Sequence, residues 1–348
     1  MPSPLPVSRL LPRVFGIGLG ARSSPLRGHA GASTLRVPSA AGFYEQQQQL
    51  ARRLWSSSSV QWRELRGLER IGAGGFGLVF KGSYFGETVA VKRVRRARNN
   101  ALASRQSFWA ELNAVHLQHD NVVRVIAATT ASGGDDHDEE CHVGTIVMEF
   151  AGDVNLQQVI YDHDCVVEPL PLALCVRYAT DIASALHHLH AHGVAHLDVK
   201  PANVLVSPAG VCKLADFGCS LRLEREHEEA RPLEIGGTYT HRAPELLRGE
   251  RVTARADVYS YGVTLWQLLT REPPYRGERQ YVMYAVVAQG LRPELDLAVF
   301  RSAVGCVIKD LLVLCWSAEP NTRPSAADLL SELKPLREHC LTESCRET

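Results

Sequence analysis

The spacing of hydrophobic positions changes near residue 150. Between residues 68 and 91, apolar and β-branched residues come in short runs bounded by glycine, notably Leu78-Val79-Phe80 and Thr88-Val89-Ala90-Val91. That is the pattern of strands joined by tight turns. A helix is predicted over 108–117 and two further strands over 122–129 and 144–150, with the acidic stretch 132–140 as an exposed loop between them. After Gly152 the period becomes helical. Leu172, Val176, Ala179, Ile182, Leu186 and Leu189 predict a long helix over 172–192 with one buried face. Further core helices are predicted over 255–269, 303–315 and 324–333, the last with proline in its first turn and Pro335 at its end. The pattern gives an α+β fold of two lobes: a small β-rich lobe with one key helix over 65–150 and a larger helical lobe over 151–336. A poorly ordered extension (1–60) and a short polar tail (337–348) flank them.

Composition narrows the function classes. The chain has 348 residues, 45% apolar and 22% charged, with zero formal net charge. That balance gives no reason to expect nucleic acid or an acidic membrane as partner, and no uncharged apolar stretch is long enough for a spanning helix. A monomer is expected. Nine scattered cysteines without a CxxC pair read as reduced thiols in a cytoplasmic protein rather than disulfides or zinc ligands. Arg9, Arg13, Arg22, Arg27 and Arg36, with no acidic residue in the first 40, resemble a transit peptide in composition. Prolines at 2, 4, 6, 12, 25 and 38 would break its amphipathic helix, which favours a disordered tail.

Four constellations carry chemistry. Gly72-Ala73-Gly74-Gly75-Phe76-Gly77-Leu78-Val79 is a GxGxxG pattern followed by β-prone residues. A dinucleotide fold would place a helix there, so a glycine-rich hairpin over the phosphates of ATP is favoured. Lys92 ends a Val-Ala-Val run and is suited to hold α- and β-phosphates. A buried ammonium needs an anion, and Glu111 on the next predicted helix is the candidate, although alone it would read as a solvated helix residue. His196-Leu197-Asp198-Val199-Lys200-Pro201-Ala202-Asn203 follows the long helix. In it Asp198 can orient a substrate hydroxyl and take its proton, Lys200 can neutralise a γ-phosphoryl group, and Asn203 can hold Mg²⁺. His196 reads as a packed structural residue. Asp216-Phe217-Gly218 supplies a second Mg²⁺ ligand in Asp216. Downstream, Ala243-Pro244-Glu245, Asp257 at a helix start and Arg323 complete the set, with Glu245 and Arg323 predicted to form a buried ion pair.

In this order, across about 65–336, the motifs resemble the eukaryotic protein kinase superfamily. The resemblance implies ATP and Mg²⁺ as cofactors. It assigns the nucleotide site to Ile71, Gly72, Ala73, Gly74, Gly75, Phe76, Gly77, Leu78, Val79, Ala90 and Lys92, with Met148 as gatekeeper and Glu149, Phe150 and Ala151 as the hinge that accepts adenine. Lys200 is similar to serine/threonine kinases, and Thr238 occupies the substrate-platform position, near Asp198 and Lys200. The N-terminal Met-Pro-Ser-Pro, the His-Leu-Asp loop and Gly-Gly-Thr-Tyr-Thr-His-Arg-Ala-Pro-Glu resemble the Mos kinase family more closely. That resemblance implies a MAP kinase kinase kinase that phosphorylates MAP kinase kinase in oocyte maturation and metaphase II arrest. The alternatives are a Raf-like or mixed-lineage-like MAP kinase kinase kinase, or an inactive kinase-fold scaffold. Two departures stand out. Leu197 replaces the arginine that usually clamps a phosphorylated activation segment, so activity without that phosphate is expected. The interval from Glu111 to His119 is one residue shorter than in many kinases, which bears on the Lys92–Glu111 pairing.

Overall fold

Glycine-bounded β runs fold as three consecutive antiparallel strands: β1 (Leu65–Gly74), β2 (Gly77–Tyr84) and β3 (Glu87–Arg95). The computed structural model describes Val60 and residues 64–74, 77–96, 101–130, 142–161, 170–223 and 237–344. Helix α1 (Ala101–Glu111), β4 (Val125–Thr129) and β5 (His142–Glu149) complete the small lobe, whose five-stranded sheet runs β1-β2-β3-β5-β4. Strand periodicity sorts β3 into two faces. Val89 and Val91 pack with Leu65, Ala127 and Val147 on one face. Ala90, Lys92 and Val94 take the other, where Val94 joins the cluster of Phe108 from α1 and Ile146.

The second lobe begins with β6 (Val154–Asn155), α2 (Leu156–Tyr161) and the long α3 (Leu172–Ala191). Short strands β7 (Val194–Ala195), β8 (Val204–Val206), β9 (Cys212–Leu214) and β10 (Leu221–Arg222) follow, paired as β6-β8-β9 and β10-β7. Then come α4 (Pro244–Leu247), α5 (Arg255–Thr270), α6 (Arg279–Ala288), α7 (Ala303–Cys315) and α8 (Ala326–Ser344). Helix α3 buries Cys175, Val176, Ala179, Ile182, Leu186 and Leu189 at helical spacing, and each fully buried leucine or isoleucine there contributes about 1.5–3 kcal/mol. Every residue of α5 from Ala256 to Leu269 is buried, so it is the helix the others surround. One apolar cluster runs from Val94, Phe108 and Val115 through Phe217 to Leu186, Tyr261 and Leu333, and joins the lobes. The expected two-lobed α+β architecture is observed.

Three predicted boundaries are corrected. The helix predicted over 108–117 spans Ala101–Glu111, followed by a 3₁₀ turn Leu112–Ala114. Asn113 Nδ2 bonds to Ser220 O and Oγ at 3.3 and 3.1 Å, a tertiary tie that holds the chain where the α-helix ends. The strand predicted from 122 begins at Val125. Val122 instead bridges Leu214, and the Val123 amide donates to Leu214 O at 2.9 Å, which anchors this stretch to the helical lobe. The last helix was expected to stop at Pro335 but runs through it to Ser344. Proline removes one N–H from the ladder, yet Leu329, Leu333, Leu336 and Cys340 recur at helical spacing and are buried. Helices α2 and α6 were not predicted. The stretches 1–59, 132–140 and 224–229 lie outside the described residues. Among those described, Cys175, Cys212, Cys219, Cys306 and Cys315 are free thiols, and no helix is long and apolar enough to cross a membrane.

Candidate active site

Strand β3 delivers Lys92 and the last turn of α1 delivers Glu111. Lys92 Nζ donates to Glu111 Oε1 and, at 2.7 Å, to Asp216 Oδ1. The other Glu111 oxygen accepts from the Phe217 amide at 3.1 Å, so one carboxylate ties sheet, helix and the Asp216 turn together. The short interval to His119 has left the pairing intact. Burial opposes the Lys92 charge, but Asp216 and Glu111 overcome it and hold the ammonium's pKa above its ordinary value. Two carboxylates share this one ammonium. Burial pushes Glu111 up to about 7 against the pull of Lys92, with the Asp216 charge adding to the push. Partial desolvation also opposes ionisation of Asp216, but Lys92 wins and holds its pKa below the carboxylate range. The Asp216 side chain keeps 41% of its surface exposed. Its φ is +63°. Gly218 follows because a Cβ there would sit 2.5 Å from Ser107 Oγ on α1.

The loop between β7 and β8 carries Asp198, Lys200 and Asn203. Lys200 Nζ donates to Asp198 Oδ2 at 2.8 Å and to Thr238 Oγ1 at 2.6 Å. The Thr238 amide donates to Asp198 Oδ1 at 2.8 Å. Asn203 Nδ2 donates to Asp198 O and Oδ2 at 2.9 and 3.0 Å. The structure thus brings together all four of these predicted residues. Asp257, placed only at a helix start by sequence, straps this loop from below. Its oxygens accept from the His196 and Leu197 amides at 2.8 and 2.7 Å and pair with His190 Nε2 at 2.9 Å. Burial opposes its charge, but His190 and the Leu197 amide keep its pKa below the ordinary value. A carboxylate inside an apolar helical run was the available signal, because such a group is not buried without partners. His196 is fully buried, stacks edge-on to Phe217, accepts from the Asp198 amide at Nδ1 and donates from Nε2 to Ala215 O.

Strand register collects the nucleotide-face residues. Val79 pairs with Lys92, Lys92 with Ile146, and Ala90 with Met148, so Val79, Ala90, Lys92 and Met148 share one face of the sheet. Below them Val123, Ala151 and Ala215 form a small apolar cluster with Met148 and Leu205. Sequence reasoning missed Leu205 because only the register of β8 against β9 places it there. Glu149 has other commitments: its amide donates to Arg124 O, and its carboxylate accepts from the Arg124 amide and Lys213. Ile71, Gly72, Ala73 and Gly74 end β1, Gly77 and Leu78 open β2, and Gly75 and Phe76 lie outside the described residues.

The protein kinase domain family matches residues 65–333. The serine/threonine-protein kinase mos of Gallus gallus is 47% identical over 97% of this chain and 100% of its own length. That of Xenopus laevis is 47% identical over 96% and 92%. The proto-oncogene serine/threonine-protein kinase mos of Sus scrofa is 47% identical over 97% and 99%. The chain belongs to the Mos family of serine/threonine protein kinases. As a Mos-family member it is an ATP-dependent enzyme that phosphorylates protein. The donor set suits a hard cation beside phosphate: Asp216 is a partly exposed carboxylate, and Asn203, whose amide nitrogen is spent on Asp198, has its carbonyl oxygen left to offer. Among the described residues no group of three His, Cys, Asp or Glu could hold a metal alone. Mg²⁺ takes one or two protein ligands and fills its shell with phosphate and water.

Proposed function

We propose that the chain transfers the γ-phosphoryl group of ATP to serine or threonine in a MAP kinase kinase, and so acts in oocyte meiotic maturation and metaphase II arrest. The observation that carries the catalytic part is the hydrogen-bonded set Asp198, Lys200 and Thr238, next to Asn203 and in the same fold as the Lys92–Glu111–Asp216 cluster. The choice of MAP kinase kinase, the oocyte role and the cytoplasmic setting rest on the resemblance to the Mos family.

In this reading the nucleotide lies between the glycine-rich hairpin and the apolar cluster of Met148, Ala151, Leu205 and Ala215, with adenine at the main chain of residues 149–151. Ile71 and Val79 close over it and Ala90 lies against it. Lys92, freed in part from Asp216, holds the α- and β-phosphates while Glu111 keeps it in place. Asp216 and Asn203 hold Mg²⁺, which supplies electrostatic stabilisation of charge on the phosphate oxygens. Asp198 accepts a hydrogen bond from the substrate hydroxyl and takes its proton as the new P–O bond forms. Lys200 lies 2.8 Å from Asp198 and offsets the charge that accumulates on the transferring group. Residues 65–150 and 151–336 act as the two lobes of this site.

The test is phosphate transfer from ATP to purified, kinase-dead MAP kinase kinase, with Asp216→Ala as control. Transfer to activation-segment serines by the wild type alone supports the whole reading. Absence of transfer with ATP binding intact rejects MAP kinase kinase as the substrate.

A further inference from the structure

The segment that carries Thr238 is anchored from beneath by hydrogen bonds that phosphoryl transfer does not use. The His241 amide donates to Thr238 O at 3.0 Å, closing a turn whose first residue contacts Asp198 and Lys200. His241 is buried. Its carbonyl accepts from Ser260 Oγ of α5 at 2.7 Å. Its ring meets Gln267 Oε1 of α5 at 2.6 Å through Nε2, and Thr240 Oγ1 at 3.0 Å through Nδ1. Gln267 Nε2 donates to the Tyr161 hydroxyl of α2 at 2.7 Å, and that hydroxyl donates to Glu272 O at 3.0 Å.

The far end of this chain fixes its direction. A carbonyl oxygen only accepts, so Tyr161 donates to Glu272 and must accept from the Gln267 amide nitrogen. Gln267 therefore shows its oxygen to His241, Nε2 of His241 carries the proton, and Nδ1 accepts from the Thr240 hydroxyl. The ring is held as one neutral tautomer. Burial pushes His241 down to about 4, against the pull of the Gln267 bond and Asp198, with Lys200 adding to the push. Asp198 and Lys200 are the charged groups that act on the ring, while α5 offers it the neutral Gln267, itself held by the Tyr161 hydroxyl of α2.

We propose that His241 is a positioning residue for the protein substrate, locking the Thr238 turn onto α5 and α2 so that Thr238 stays against Asp198 and Lys200. The inference rests on the assignment of Asp198, Lys200 and Thr238 to phosphoryl transfer. It predicts an effect on the protein substrate that spares ATP, because nothing in the chain touches the Lys92 cluster.

The full-length wild type, His241→Phe, His241→Gln, Gln267→Glu and Asp198→Ala are compared with kinase-dead MAP kinase kinase as acceptor, reading kcat and both KM values. His241→Phe leaves the buried Gln267 oxygen without its donor, and kcat/KM for the acceptor should fall about tenfold with KM for ATP unchanged. His241→Gln restores a donor and should recover most of the loss. Gln267→Glu keeps the volume but sets a carboxylate beside the imidazole and favours its charged form. Its kcat/KM for the acceptor should gain a pH-dependent component near neutrality on top of the wild-type profile. Wild-type kinetics in His241→Phe, an equal loss toward ATP, or a wild-type pH profile in Gln267→Glu overturns the proposal. If His241→Phe shows no cooperative melting, the Gln267→Glu profile decides alone. Transfer by Asp198→Ala overturns the site assignment beneath it, whereas a dead Asp198→Ala beside a wild-type-like His241→Phe overturns this inference only.

Discussion

Breaking the Glu245–Arg323 pair should unfold the helical lobe at markedly lower temperature, and more so from the arginine side. The pair is fork-to-fork: Nη1 and Nη2 each reach a separate Glu245 oxygen at 2.7 Å, and the two side chains are 0% and 1% exposed. Arg323 also donates to Ser317 O at 2.9 Å, Arg255 O at 3.0 Å and Ala318 O at 3.4 Å, and lies over the Tyr259 ring. In Glu245→Gln the guanidinium loses its counter-charge but keeps its carbonyl partners. In Arg323→Met a carboxylate is stranded in apolar surroundings and three carbonyls lose a donor. Removing one partner of a buried pair costs about 3–5 kcal/mol, so Glu245→Gln should sit near the lower figure and Arg323→Met at or above the higher one. For a domain of this size that is a fall in Tm of roughly 6–20 °C. Combining the two as Glu245→Gln, Arg323→Met removes charge and counter-charge together and should recover much of the loss. Differential scanning calorimetry on the four proteins forms a double-mutant cycle. Single variants within about 1 kcal/mol of wild type, or a double variant as damaged as the sum of the singles, would refute the reasoning.

Four further outcomes are expected. Lys92→Met leaves Glu111 and Asp216 facing each other without a cation, and the initial rate of transfer should fall by about 10²–10³-fold; a loss of less than about tenfold counts against the role given to Lys92. Gly218→Ala puts a Cβ 2.5 Å from Ser107 Oγ, which has no hydrogen-bond partner among the described residues. It should lower activity and cost about 1–3 kcal/mol, with partial recovery in the Ser107→Ala, Gly218→Ala double variant; no recovery would mean the clash lies elsewhere. His241 has a folded pKa of about 4 against an ordinary value of 6.5, so the unfolded chain binds the extra proton between those values and stability falls as pH falls through that window. Urea unfolding should lose about 2 kcal/mol from this group between pH 7.5 and 5, a slope that His241→Gln removes; an identical slope in both proteins would contradict the assignment. Leu197 is buried and carries no charge to clamp a phosphate, so phosphatase-treated enzyme should keep its activity; collapse in a Ser3→Ala background would show that an activation-segment phosphate is required.

Much of the fold was legible because its signals are local. Glycine-bounded β runs marked β1 to β3, and the helical period marked α3 and α7 almost to the residue. The misses share a cause. At α1, β4 and α8 the boundary is set by a contact from a distant part of the chain: Ser220 at Asn113, Leu214 at Val122 and Val123, and the buried Leu336 and Cys340 beyond Pro335. Proline costs the helix one hydrogen bond, whereas two more buried side chains beyond it return more than that. Helix α2 is only six residues long, too short for its period to be read.

The site divides along the same line. Asp198, Lys200 and Asn203 lie within one octapeptide, and their hydrogen-bonded geometry follows from neighbours a few residues apart. Lys92, Glu111 and Asp216 are farther apart: the local patterns around Lys92 and Asp216 named those two, the need of a buried ammonium for an anion pointed to Glu111, and the bond from Lys92 to Asp216 was not legible. The His241–Gln267–Tyr161 chain has neither advantage. Its Gln267–Tyr161 link spans 106 residues, and no member is of a type that announces itself in sequence. What a sequence does carry for such a chain is the anomaly of polar residues in apolar or buried surroundings, as with Asp257 in its helix. A buried polar group must be partnered. Each such residue is therefore a prediction that a partner exists, and the fold supplies its identity.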